Sequence, residues 1–221
     1  MKLRRSQPQR GLSSTVALAA TLLVWTAVPV SGQDAWTSVL SSRASTARTK
    51  GEETAKIFVY EFANFQCPHC AKFALDVFPR IDSVFVRTGK VRWIFVHLPG
   101  PSHANAWAAH EAAACAGAVG DRFWTMHDRL FATQTEWSGS LNPRKRFSKM
   151  ARELGIAPAA FDQCVDEDLV ASVLLQDVMF AAASRVNGTP AYMVNNQTSV
   201  MGLKSYDEWR DILEKAIKKA R

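Results

Sequence analysis

The feature that most constrains this chain is a short apolar run, Lys56-Ile57-Phe58-Val59-Tyr60-Glu61-Phe62, followed shortly by Cys67-Pro68-His69-Cys70. A run of β-formers of this length reads as a buried strand. Proline suits the first position of a helix, where its missing N–H has no partner to lose. The pattern therefore predicts a strand that turns into a helix, with Cys67 at the N-cap and Cys70 one turn further in. Unpaired N–H groups and the positive end of the helix dipole favour an anion there, so a thiol at Cys67 becomes acidic and nucleophilic. His69 adds a donor or a cation beside it. A stabilised thiolate is a stabilised reduced state, which makes the corresponding disulfide an oxidant. Cys70, the less exposed thiol, would resolve a mixed disulfide formed at Cys67.

Other uses of two closely spaced cysteines fit less well. A zinc site needs four ligands, and the chain has no second C-x-x-C and no H-x₃₋₅-H. Attachment of a c-type haem needs His directly after the second cysteine, and Ala71 stands there. A zinc deaminase needs Pro before the first, and Gln66 stands there. No metal and no cofactor is expected.

The chain has 221 residues, 48% hydrophobic and 21% charged, as befits a globular protein with a sizeable core. Its net charge of +7 invites a reading as a binder of anions. However, residues 1–32 contribute Lys2, Arg4, Arg5 and Arg10 and no acid, so the remainder carries only +3. No basic-aromatic patch points to nucleic acid. The basic start, the apolar stretch from Thr15 to Val28 and the small residues of Pro29-Val30-Ser31-Gly32 fit an export signal cut after Gly32, or an uncleaved anchor. Export implies a periplasmic or other extracytoplasmic, oxidising compartment, with the protein membrane-anchored if the leader is kept. The four cysteines, 67, 70, 115 and 164, suit two pairs. Cys115 and Cys164 read either as buried free thiols or, favoured in an exported chain, as a structural disulfide.

Residues 33–54, rich in Ser, Thr and Ala, read as a polar tether. Folded structure is expected from residue 55. A strand at 56–62, a helix from Pro68 to about Val86 and a strand at 91–97 open it. Helical signals follow at 104–118, 121–131, 143–154, 158–165 and 169–183. A hairpin over 191–201 and a helix capped by Ser205 close it. The order β-α-β, helices, β-β-α describes one α/β domain, residues 55–98 and 185–221, interrupted by an all-helical insertion, 99–184. Gly188-Thr189-Pro190 precedes the hairpin, and its X-Pro bond is a candidate cis peptide. His97 and His127 read as structural, and His103 and His110 lack metal-ligand spacing. The sequons at Asn187 and Asn196 read as chance.

At this point the chain resembles a known family. Glu61-Phe62-Ala63-Asn64-Phe65-Gln66-Cys67-Pro68-His69-Cys70, with Gly188-Thr189-Pro190 late in the chain, is similar to the DsbA-like thiol:disulfide oxidoreductases. So are Ala114-Cys115-Ala116-Gly117, the stretch from Phe123 to Asp128, and Phe161-Asp162-Gln163-Cys164. The resemblance covers residues 55–221. It implies a thioredoxin fold with an inserted helical domain, a nucleophile at Cys67, a resolving thiol at Cys70, and a cis Thr189–Pro190 bond beside the substrate. It also implies an acid near the thiols at Glu61, which would relay a proton from Cys70 or simply pair at the strand end. The oxidising direction is carried by the resemblance. Expected partners are unfolded or newly exported cysteine-containing proteins and a membrane quinone-linked enzyme that re-oxidises a monomeric chain. The alternatives are an isomerase or reductase on the same fold, disfavoured by the short stretch between leader and fold, and a non-catalytic metal-binding or chaperone module lacking a fourth ligand.

Overall fold

The computed structural model describes residues 32–220. Residues 1–31 of the leader lie outside the described residues. Among those described, no helix is long and apolar enough to cross a membrane.

Strand β2 (Ile57–Ala63) forms where the apolar run predicts it, and β3 (Val91–His97) lies parallel to it in the register Ile57↔Val91 to Ala63↔His97. Parallel neighbours require a crossover connection. Here it is the helical stretch 68–86, made of α2 (Pro68–Lys72), a wide π turn Phe73–Val77, α3 (Phe78–Ile81) and a second π turn Asp82–Val86. The expected single helix is thus interrupted. Pro79 has no N–H to donate, and in a regular helix its ring would meet the carbonyl of Leu75. The wider turn just before it relieves that clash. Strand β4 (Ala191–Val194) pairs antiparallel with β2, and β5 (Thr198–Met201) with β4.

The stretch expected to be a tether is ordered structure instead. Helix α1 (Gly32–Ala47) leads into β1 (Thr49–Lys50), which pairs antiparallel with β3 and completes the order β1-β3-β2-β4-β5. The small polar residues mask a narrow stripe in which Leu40, Ala44 and Ala47 recur at helical spacing. Leu40 and Ala44 are buried, and Ala47 packs so closely on Gly117 that a Cβ there would come within 2.9 Å of it. Arg48, just after the helix, donates to Asp177 at 2.6 Å and to Phe95 O at 2.7 Å. Tertiary contacts outweigh a composition that, alone, would stay unfolded.

Between β3 and β4 lie α4 (Ala106–Gly120), α5 (Phe123–Ala132), α6 (Gln134–Trp137), α7 (Pro143–Glu153), α8 (Pro158–Asp166) and α9 (Ala171–Ala183). Helix α6 escapes periodicity because it is a single turn. The closing helix α10 (Tyr206–Lys219) starts at a capping box of Ser205 and Glu208. One face of the sheet carries Val59, Trp93 and Tyr192 against Phe73, Phe78 and Trp209. Nearer the strand ends, Phe95 joins Phe65, Cys70, Phe123 and Phe131 in a cluster that continues into the helical block. Phe62 and Val96 cover the other face against α9. One apolar cluster therefore runs from the end of the sheet into the helical block, with the turn 64–67 at their junction.

Candidate redox site

Cys67 is the N-cap of α2, extended at φ −81°, ψ 123°, with Pro68 directly after it. Cys67 is 6% exposed and Cys70 0%; both thiols are free. The thiol of Cys67 donates to Thr189 O at 3.5 Å, across to the Thr189–Pro190 bond, which is cis. As a neutral thiol it takes no cap hydrogen bond. The arrangement around it serves the anion. The Cys70 thiol, as hydrogen-bond donor, pulls the Cys67 pKa down most; burial opposes it. The Thr189 side chain and the N–H groups of Cys70 and His69 add to the lowering, and the result is about 5. Cys70 moves the opposite way, well above the usual thiol value, because it is buried and faces the Cys67 thiolate. One thiol is ready as a leaving group and its neighbour keeps its proton.

The donor expected from His69 comes from its backbone. The exposed ring is not among the groups that lower Cys67, whereas the backbone N–H of His69 is. At the first turn of a helix the backbone itself supplies the donors.

Glu61 projects from β2 into the apolar face. Its Oε2 accepts from Trp93 Nε1 at 2.7 Å, and its Oε1 has no hydrogen-bond partner among the described residues. Burial pushes its pKa up to about 7 against the opposing Trp93 bond. Tyr192 sits opposite Glu61 in the register and its pKa is raised, first by burial and then by the charges of Glu61, Cys70 and Cys67. These four groups share one electrostatic neighbourhood. Trp93 and Tyr192 read from sequence only as strand residues; nothing local marks them as partners of a carboxyl group.

Cys115 on α4 and Cys164 on α8 are joined in a disulfide with Cα atoms 5.9 Å apart, both fully buried. Of the histidines, His97 and His110 meet with Nδ1 atoms 2.9 Å apart, and His110 Nε2 accepts from Phe65 N–H at 3.3 Å. Burial holds both below the ordinary imidazole range, His110 at about 3. They are neutral packing groups under the turn 64–67. His103 pairs with Asn64 at 2.9 Å. Among the described residues no group of three or more His, Cys, Asp or Glu is placed to hold a metal ion.

Comparisons with known proteins identify the family. The family model described as Thioredoxin matches residues 43–215. Disulfide bond formation protein D of Bacillus subtilis is 27% identical over 172 residues, covering 76% of each chain. The crystal structure of oxidised BdbD from Bacillus subtilis superposes with a TM-score of 0.70 at 25% identity, over 77% of this chain and 92% of that one. Wolbachia pipientis alpha-DsbA1, at 21% identity and a TM-score of 0.69 over 78% of this chain and 92% of its own, shares the fold. With an acidic N-cap cysteine, a neighbouring thiol that keeps its proton and this kinship, the chain belongs to the thioredoxin family as a DsbA-like thiol-disulfide oxidoreductase.

Proposed function

We propose that this protein is an exported thiol oxidase that introduces disulfides into newly exported proteins. The observation that carries the reading is the place of Cys67 at the N-cap of α2, where the Cys70 thiol and the N–H groups of the first helical turn pull its pKa down to about 5. A group so stabilised when reduced makes its disulfide easy to reduce, and therefore oxidising.

In the cycle, a substrate thiolate attacks Cys67 Sγ of the Cys67–Cys70 disulfide. A substrate–Cys67 disulfide forms and the Cys67–Cys70 bond breaks, leaving Cys70 as a thiolate. Cys70, buried and disfavoured as an anion, takes a proton, for which the Glu61 carboxyl is the buried source. A second substrate thiolate then attacks the substrate sulfur of the mixed disulfide. The substrate disulfide forms, and Cys67 leaves as the thiolate that the helix favours. Two electrons pass from substrate to enzyme. Thr189, whose carbonyl accepts from the Cys67 thiol, is the half-buried residue beside the buried cis Pro190, and the substrate chain would lie against this segment.

The leader composition and the internal Cys115–Cys164 disulfide support action in an oxidising, extracytoplasmic space. A membrane quinone-linked enzyme would restore the Cys67–Cys70 disulfide, and the chain would act as a monomer, released if the leader is cut and anchored if it is kept. The test is a reduction potential from equilibrium with glutathione, together with trapping on a two-cysteine peptide. The expected value is more oxidising than about −180 mV, and Cys70→Ser accumulates a mixed disulfide through Cys67 while Cys67→Ser accumulates none. A potential near the −270 mV of a reductant would overturn the oxidase reading.

A further inference from the structure

The turn that carries Cys67 is tied to the helical block by several bonds, and one carboxamide among them reaches the carbonyls on either side of Gln66. Gln134, the first residue of α6, donates from Nε2 to Phe65 O at 2.7 Å and to Cys67 O at 3.0 Å. A primary amide nitrogen has two hydrogens, and both are used. The need for this is written into the chain. Pro68 has no N–H, so the Cys67–Pro68 peptide group can be held only through its carbonyl. One lone pair of that carbonyl receives Ala71 N–H at 3.1 Å, the bond that opens α2. The other receives Gln134.

Two further carboxamides extend the connection. Gln66 Nε2 donates to Ser138 O at 3.0 Å, and Gln66 Oε1 accepts from Asn105 N–H at 2.9 Å. Asn105 Nδ2 lies within 2.9–3.2 Å of the carbonyls of Trp137, Ser138 and Ser140. The short α6 is itself pinned by Trp137, which is fully buried and donates from Nε1 to Leu130 O at 2.8 Å.

We propose that Gln134 is a positioning residue for Cys67, acting through the Phe65 and Cys67 carbonyls to keep the extended N-cap geometry that aims Sγ at the N–H groups of His69 and Cys70. The inference rests on Cys67 being the nucleophile of an oxidising pair. It gives the inserted helices a part in the redox chemistry, because the group that sets the orientation of the Cys67 peptide comes from them and not from the sheet. Without the donor, the Phe65 carbonyl is left without that partner and the 67–68 peptide is held through the Ala71 N–H alone, so Sγ drifts from the donors that favour its anion.

The test is titration of the Cys67 thiolate by its ultraviolet absorbance in the full chain. Gln134→Met keeps the side-chain length and removes the donor; it should raise the Cys67 midpoint by about one unit, a tenfold loss of thiolate below the midpoint. Val165→Ala, in α8 away from the turn, should lower the melting temperature and leave the midpoint unmoved. If Gln134→Met does not fold, Gln66→Met breaks two bonds of the same connection and should shift the midpoint in the same direction by less. A wild-type midpoint near 8.5 overturns both the oxidase reading and this inference. An acidic wild type with an unmoved midpoint in the folded variant overturns the role of Gln134 alone.

Discussion

Cys115 and Cys164 lie within helices packed in the middle of the insertion, whereas Cys67 and Cys70 lie one turn apart where a strand end, a helix start and the Thr189–Pro190 loop converge. The first pair is bonded and sealed from solvent. Inside helices the backbone N–H groups are committed to carbonyls four residues back, so no donors remain to favour a thiolate. The second pair is free, and its first member faces donors from its own helix, from Cys70 and from Thr189. Two pairs built from the same side chain thus differ in role because of what their sulfurs face. Burial alone does not separate them, since all four cysteines are buried.

The largest effect that would break this contrast is on activity. Cys67→Ser should abolish oxidation of a two-cysteine peptide, while the folded double variant Cys115→Ala/Cys164→Ala should oxidise it at the wild-type rate in single-turnover assays. Loss of activity in that folded double variant would mean that the two pairs exchange electrons and that the contrast is wrong.

Stability should separate the pairs in opposite directions. The internal disulfide spans 49 residues, so removing it should cost about 4 kcal/mol in urea unfolding. Reducing the Cys67–Cys70 disulfide should instead stabilise the protein. The sign follows from Cys67, whose pKa is lower folded than unfolded: the contribution is complete above the unfolded value near 8.5 and is lost as pH falls through about 5. The stability gap between reduced and oxidised protein should therefore close as the pH drops across that window.

A smaller effect belongs to Glu61. Its pKa is raised on folding, so its penalty is absent below about 4.5 and grows as pH rises towards 7. Glu61→Gln should match the wild type in unfolding free energy, and so in melting temperature, near pH 4, and be more stable by up to about 3 kcal/mol at pH 8. Equal melting at both pH values would show that the carboxyl group is not held neutral.

The smallest effects sharpen the account of Cys67. Cys70→Ala removes the donor that contributes most, so the Cys67 midpoint should rise by at least about one unit, and by less in Cys70→Ser, which keeps an O–H. His69→Ser, which keeps the backbone N–H, should move it by less than about half a unit. A larger shift for His69→Ser than for Cys70→Ala would restore the imidazole as the dominant influence.

Much of this molecule is legible in one dimension, for reasons that are local. The strand leading into Cys67, the proline-started helices and the Ser205–Glu208 cap are set by neighbouring residues, and a thiol at a helix N-terminus is acidic wherever that helix goes. What stayed hidden depends on distant partners. Helix α1 is a helix because Leu40, Ala44 and Ala47 find α4, and nothing in their own composition demands it. Glu61 has its pKa pushed up to about 7 because the sheet face is sealed by aromatic rings, against the opposing bond from Trp93 one strand over. Gln134 matters because a one-turn helix brings it to two carbonyls 67 and 69 residues earlier in the chain. Sequence alone determined which sulfur would stand at a helix N-terminus, since proline starts and caps act within one turn. Only the tertiary structure decided how that sulfur is aimed and which groups share its protons, since hydrogen bonds and desolvation are set by whatever the fold brings within a few ångströms.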